Sequence, residues 1–201
     1  MRSRPHFALL LAFPGLALAV AGLFHPHSLS YDTADLWFGV HVPGLLVFPL
    51  VGAALAALVH GRTDAISWVV RLAAYVYATF YSALDVISGI AAGYVTRELG
   101  PGVARPDEVR LLFRIGTPLG EIGSWALLGC CLALVVDFAL RREVAALPAV
   151  ALVLGAWLVH TDHIFSPAGV AGMAILGVAT GLAAWLLGRG LPETRGSRKA
   201  T

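Results

Sequence analysis

The segment HTDHIF, residues 160–165, places two histidines and an aspartate between two long apolar runs. His160 and His163 are three residues apart, so on a helix both imidazole rings would point to one face. Helical bundles use such i, i+3 pairs to bind metals, and imidazole suits zinc or copper. The spacing predicts that His160 and His163 are metal ligands. The alternative is a solvated turn at the edge of the apolar region, with no ligand.

Two other segments carry histidines that we expect on the same side of the molecule. His25 lies in HPHSLSYDTAD, directly after the first apolar run, and His41 lies near the start of the second run. We therefore predict a zinc or copper site formed by His41, His160 and His163, with His25 as a further ligand. A nearby carboxylate would either bind the metal or orient the imidazole rings.

Two acidic residues fall inside apolar runs, Asp85 in YSALDVISG and Glu121 in GTPLGEIGSW. A charged side chain at the centre of a membrane helix costs about 2.5–3.5 kcal/mol on insertion scales, so such residues face the bundle interior and mark functional sites. We predict that Asp85 and Glu121 are catalytic residues beside the metal. The metal would lower the pKa of a bound water for hydrolysis of a lipid-like or small-molecule substrate.

Three other functions fit the same residues. Asp85 and Glu121 are candidate protonation sites of a small proton-coupled transporter. His41 and His160 are a candidate pair of axial haem ligands, although no CxxCH motif is present. A structural or accessory membrane subunit needs no chemistry, and its polar residues would only fix helix packing.

The elements that must position these residues are long apolar segments. Apolar residues make up 58% of the 201 residues and charged residues only 13%, against about 25% charged in an average soluble domain. Segments long enough for membrane helices recur along the chain. They lie near residues 7–24, 37–59, 67–95, 115–140, 145–160 and 167–188. The sequence predicts an all-α integral membrane protein, a bundle of about six transmembrane helices in one domain, residues 1–190.

Basic residues predict the orientation of this bundle in the cell membrane. With both termini in the cytoplasm, ten of the 14 Arg and Lys residues fall on the inner side. Residues 191–201 are predicted to form a basic, disordered cytoplasmic tail. The first apolar run reads either as a retained anchor or as a cleaved signal peptide, and its length favours the anchor.

The net charge predicts the kind of partner, and the small residues predict how the last helix packs. A net charge of +2 gives no basic surface for nucleic acid, so the expected partners are the lipid bilayer and a substrate. Gly177 and Gly181 form a GxxxG pattern in the last apolar run, which permits close helix approach. We expect this pattern to pack helices within one chain rather than between two chains.

Overall fold

The computed structural model describes residues 4–102 and 106–188, which are helical and contain no strand. This confirms the all-α prediction. The helices, in chain order, are α1 Arg4–Phe24, α2 Ala34–Ala57 after a 3-10 turn at Tyr31–Thr33, α3 Ala65–Leu84, a π-helix at Asp85–Ala91, α4 Ala92–Leu99, α5 Asp107–Leu140, α6 Ala146–Asp162 and α7 Ala168–Leu186. The segments from Ala65 to Leu99 follow one another without a break, so the described ranges form six helical rods.

Five of these rods are long and apolar enough to cross a membrane: Pro5–Phe24, Tyr31–Ala57, Ala65–Leu99, Asp107–Leu140 and Ala168–Leu186. The remaining rod, α6, is apolar but has 17 residues. At 1.5 Å per residue it spans about 25 Å, slightly less than the ~30 Å of bilayer hydrocarbon. All six predicted apolar segments are therefore helical. The predicted tail, residues 191–201, lies outside the described residues.

Large apolar side chains cover the outward faces of the rods. Leu46 is 74% exposed, Leu147 is 76% exposed and Tyr75 is 67% exposed. Soluble monomers rarely expose contiguous apolar surface on this scale. These faces fit a hydrocarbon environment better than water.

Glycines let α1 and α7 pack closely. A Cβ atom added to Gly15 would lie 2.5 Å from the backbone nitrogen of Gly177, and one added to Gly181 would lie 2.9 Å from the carbonyl oxygen of Ala8. Such contacts leave no room for a side chain. The GxxxG pattern of α7 therefore packs within the chain, as predicted from the sequence.

An ion-pair network closes one end of the bundle, which we call the arginine end. The buried carboxylate of Asp137, near the end of α5, accepts hydrogen bonds from Arg62 and Arg141. Both arginines also bond to Asp64, whose side chain accepts a hydrogen bond from the Ser67 backbone and caps α3. The Ser67 bond, together with Arg62, holds the pKa of Asp64 well below its usual range. The network thus connects the α2–α3 loop to the end of α5.

We expect Asp137→Asn to destabilise the protein by about 3 kcal/mol, because removing one partner of a buried ion pair leaves the other charge uncompensated. The control is Asp35→Asn, which removes a carboxylate that is 81% exposed and pairs with Arg97. Unfolding of both variants in detergent micelles measures the difference. Equal stability of the two variants would mean that the network does not hold the arginine end together.

Candidate metal centre

His25, His41 and His163 converge at the opposite end of the bundle, and we call them the histidine triad. One ring nitrogen of each residue lies within 4.8 Å of the others. Three separate segments supply them. His25 directly follows α1, His41 lies two turns into α2, and His163 directly follows α6. Ligand atoms at this spacing could hold a single metal ion.

The tautomers of His25 and His41 follow from their backbone contacts. His41 Nδ1 lies 2.6 Å from the carbonyl oxygen of Trp37, and His25 Nδ1 lies 2.8 Å from that of Pro26. A carbonyl oxygen only accepts hydrogen bonds, so in both neutral rings Nδ1 carries the proton and donates it. Nε2 of each ring is left as an unprotonated lone pair, the form that binds metals.

These two lone pairs point into the same space. The Nε2 atoms of His25 and His41 are 3.4 Å apart. Two unprotonated nitrogens cannot share a hydrogen bond, but a cation between them would satisfy both. Zn–N bonds of 2.0–2.1 Å at a tetrahedral angle place neighbouring nitrogens about 3.3–3.4 Å apart. The observed separation matches that geometry.

His163 reaches the triad because α6 ends before it. The helix stops at Asp162, and His163 has a φ of 51°, outside the helical region. Its ring Nδ1 lies 2.7 Å from the Tyr81 hydroxyl, and the ring stacks on Tyr81 and Phe48. Burial lowers the pKa of both His25 and His163. The shift favours the neutral rings that metal ligation requires.

Asp85 lies beside the triad without a hydrogen-bonding partner. Its side chain is fully buried, and Oδ1 is 4.0 Å from His41 Nε2. Neither carboxylate oxygen accepts a hydrogen bond within the described part of the chain. A buried carboxylate in this state is costly unless a cation compensates it. A metal ion held by the triad would supply the missing positive charge.

The π-helix Asp85–Ala91 brings Asp85 and the His41 ring together. The His41 ring packs directly on Gly89, where an added Cβ would lie 2.1 Å from His41 Cδ2. Trp37 Nε1 donates a hydrogen bond of 3.1 Å to the Ser88 carbonyl, which ties this segment to α2. Single π-helical turns inside α-helices often occur at functional sites. The sequence around Asp85 gives no sign of this π-helical turn and predicts a regular helix.

A cavity of about 360 Å³ opens beside the triad. The three triad histidines line it, and so do residues from α5, α6 and the π-helix. The polar residues among these are Ser88, Thr117, Glu121, Ser124, His160, Thr161 and Asp162. An ion held by the triad would therefore border a cavity with hydrogen-bonding groups on its wall.

The structure separates His160 from the triad. His160 Nδ1 lies 2.9 Å from the Ser124 hydroxyl, and its ring centre is 4.3 Å from that of Trp125. His160 and His163 do not share a helical face, because α6 ends between them. His160 and the exposed Glu121 both line the cavity, whereas Asp85 lies beside His41 and is not on the cavity wall among the described residues.

Tyr81 is a site residue that the sequence did not point to. Its hydroxyl holds the His163 ring in place. Tyr81 and Asp85 are one helical turn apart, and this spacing is the only feature of the sequence that would place Tyr81 near the site. No pattern in the sequence pointed from α3 to the loop after α6.

We expect Tyr81→Phe to weaken zinc binding by about 10–100-fold, the usual cost of losing a group that orients a metal-ligating histidine. The matched control is Tyr77→Phe, because Tyr77 is equally buried and its hydroxyl has no hydrogen-bond partner in the described part of the chain. Metal-free protein in detergent is titrated with zinc against a chromophoric chelator. Equal affinities in the two variants would show that Tyr81 does not position His163.

Comparisons with known proteins returned no match for this chain. No family model matches it, and neither does any curated protein or solved structure.

Proposed function

We propose that the chain is a multi-pass protein of the cell membrane that binds zinc or copper through the histidine triad. Five helices of sufficient length and the exposed apolar faces support the membrane location. Arg62, Arg71, Arg141 and Arg142 belong to loops and helix ends at the arginine end. The excess of positive charge in cytoplasmic loops supports an orientation with that end inside and the triad toward the outside.

One observation carries the metal proposal. The Nε2 lone pairs of His25 and His41 are 3.4 Å apart, and both Nδ1 protons are committed to backbone carbonyls. His163 offers the third nitrogen, and the carboxyl group of Asp85 lies 4.0 Å from His41 Nε2. Three neutral imidazoles and one carboxylate suit a divalent transition metal rather than calcium or magnesium, which prefer oxygen ligands.

We further propose that the site is hydrolytic. A zinc ion, if bound by these three histidines, would activate a water for hydrolysis near pH 7. The cavity beside the triad offers room for a substrate. In this proposal Glu121 acts as a general base on the cavity wall. Asp85, whose Oδ1 lies 4.0 Å from His41 Nε2, would balance the charge of the metal. Ser124 and His160 donate or accept hydrogen bonds at the substrate.

The second candidate is a proton-coupled carrier that uses Asp85 and Glu121. The unpaired buried carboxylate of Asp85 favours it. However, of these two acids only Glu121 lines the cavity beside the triad within the described residues. A purely structural role requires closed polar pairs, and the unpaired buried groups of Asp85 and Ser88 within the described residues do not fit it.

The test is a zinc titration of metal-free protein carrying His25→Ala, against His27→Ala and His160→Ala as matched controls. His27 is exposed two residues from His25, and His160 lies on the cavity wall outside the triad. We expect His25→Ala to lose more than the roughly 100-fold in affinity that outer-shell changes cost, while both controls bind like the parent.

Two outcomes contradict the proposal. If His160→Ala loses zinc and His25→Ala does not, the site is built around the cavity wall instead of the triad. If the parent itself fails to bind zinc or copper at micromolar concentrations, no metal site exists. Circular dichroism of each variant in the same detergent shows whether the helices remain folded.

A further inference from the structure

A second cavity, of about 470 Å³, lies on the surface of α5 next to the metal centre. Its wall consists of Arg110, Phe113, Arg114, Thr117 and Pro118. These positions are spaced i, i+3, i+4, i+7 and i+8, so they form one face of the helix. Phe113 and Thr117 also line the cavity of the histidine triad, so the two cavities are adjacent and share a wall.

Two guanidinium groups mark the outer part of this face. Arg110 and Arg114 are one helical turn apart, about 6 Å along the axis. Arg114 forms no ion pair or hydrogen bond within the described residues. Arg110 pairs with Asp107, but both side chains are more than half exposed, so this pair contributes little. Paired guanidinium groups are well suited to bind phosphate oxygens.

The inner cavity carries a polar group that is unsatisfied in the described part of the chain. Ser88 is only 4% exposed, its hydroxyl has no hydrogen-bond partner, and the residue lines the triad cavity. Apolar side chains, Trp37, Leu84, Phe113, Val159 and Phe165, form much of the remaining wall. A ligand here should therefore combine a polar group near Ser88 with an apolar body.

The walls of the two cavities differ in charge. Glu121 lines the inner cavity about one turn deeper than Thr117, which lies about one turn deeper than Arg114. An anionic group is favoured at the arginines and disfavoured near Glu121. A phosphate would therefore remain at the outer cavity while the less charged part of the same molecule reaches inward.

We propose that Arg110 and Arg114 bind the phosphate headgroup of an amphiphile whose polar linkage extends along Thr117 to Ser88 and the histidine triad. This names the substrate class of the proposed hydrolytic site and rests on that proposed function. Headgroup binding itself needs no metal, so the headgroup proposal and the proposed metal site can fail separately.

The test uses the full chain, metal-free, in nanodiscs of neutral phosphatidylcholine. Dihexanoyl phosphatidic acid, inorganic phosphate and dihexanoyl phosphatidylcholine are titrated separately by calorimetry. We expect saturable binding of the phosphatidic acid, at least tenfold weaker in the double variant Arg110→Gln/Arg114→Gln. The control is Arg97→Gln, which removes a partly exposed arginine that already pairs with Glu98 and Asp35.

Each outcome decides the proposal. The headgroup site is supported if the double variant loses phosphatidic acid binding while Arg97→Gln keeps it, and if the parent binds inorganic phosphate much more weakly than phosphatidic acid. Equal affinity for inorganic phosphate overturns the amphiphile and leaves a free-phosphate site. Equal binding by the parent and the double variant overturns the role of the arginines. A zinc titration of the same preparation separates the metal function from the headgroup site. If the protein binds phosphatidic acid but not zinc, only the metal function is contradicted.

Discussion

The arrangement of the histidine triad and Asp85 follows from one electrostatic constraint. The Nε2 lone pairs of His25 and His41 face each other. Both Nδ1 protons are used by backbone carbonyls, so Nε2 meets Nε2 at 3.4 Å without a proton to share. In a low-dielectric interior this contact is unfavourable by itself, as is the unpaired carboxylate of Asp85 beside it. One divalent cation would resolve both, because it would accept the lone pairs and compensate the carboxylate.

The bundle can be understood as the scaffold that brings these groups together. Close packing of α1 on α7 through Gly15 and Gly177 places the end of α1, and hence His25, near the loop after α6. The absence of a side chain at Gly89 allows the His41 ring to rest on the π-helix that carries Asp85. At the other end, the network around Asp137 ties the α2–α3 loop to α5 without entering the site. The glycines and the π-helix thus position the site, and the ion pairs of the arginine end lie away from it.

Much of this architecture could be predicted from the sequence, since long uncharged runs dictate apolar helices whatever their partners. The convergence of His25, His41 and His163 was also within reach, because alternate ends of an antiparallel bundle meet on one side. The spacing of His160 and His163 gave no sign of where the helix that carries His160 ends. The helix ends at Asp162, and one residue of non-helical backbone turns His163 away from the face of His160. The π-helix at Asp85 and the hydrogen bond between Tyr81 and His163 both depend on tertiary packing. The spacing of residues in the sequence therefore could not predict them.

X-ray absorption spectroscopy at the metal edge tests the central claim most directly. The protein would be purified in detergent, loaded with zinc, freed of excess metal and quantified for metal per chain. The account predicts one zinc per chain with three imidazole nitrogens at about 2.0–2.1 Å and the remaining shell made of oxygen. A shell of oxygen alone, fewer than two imidazoles, or no retained zinc would contradict it.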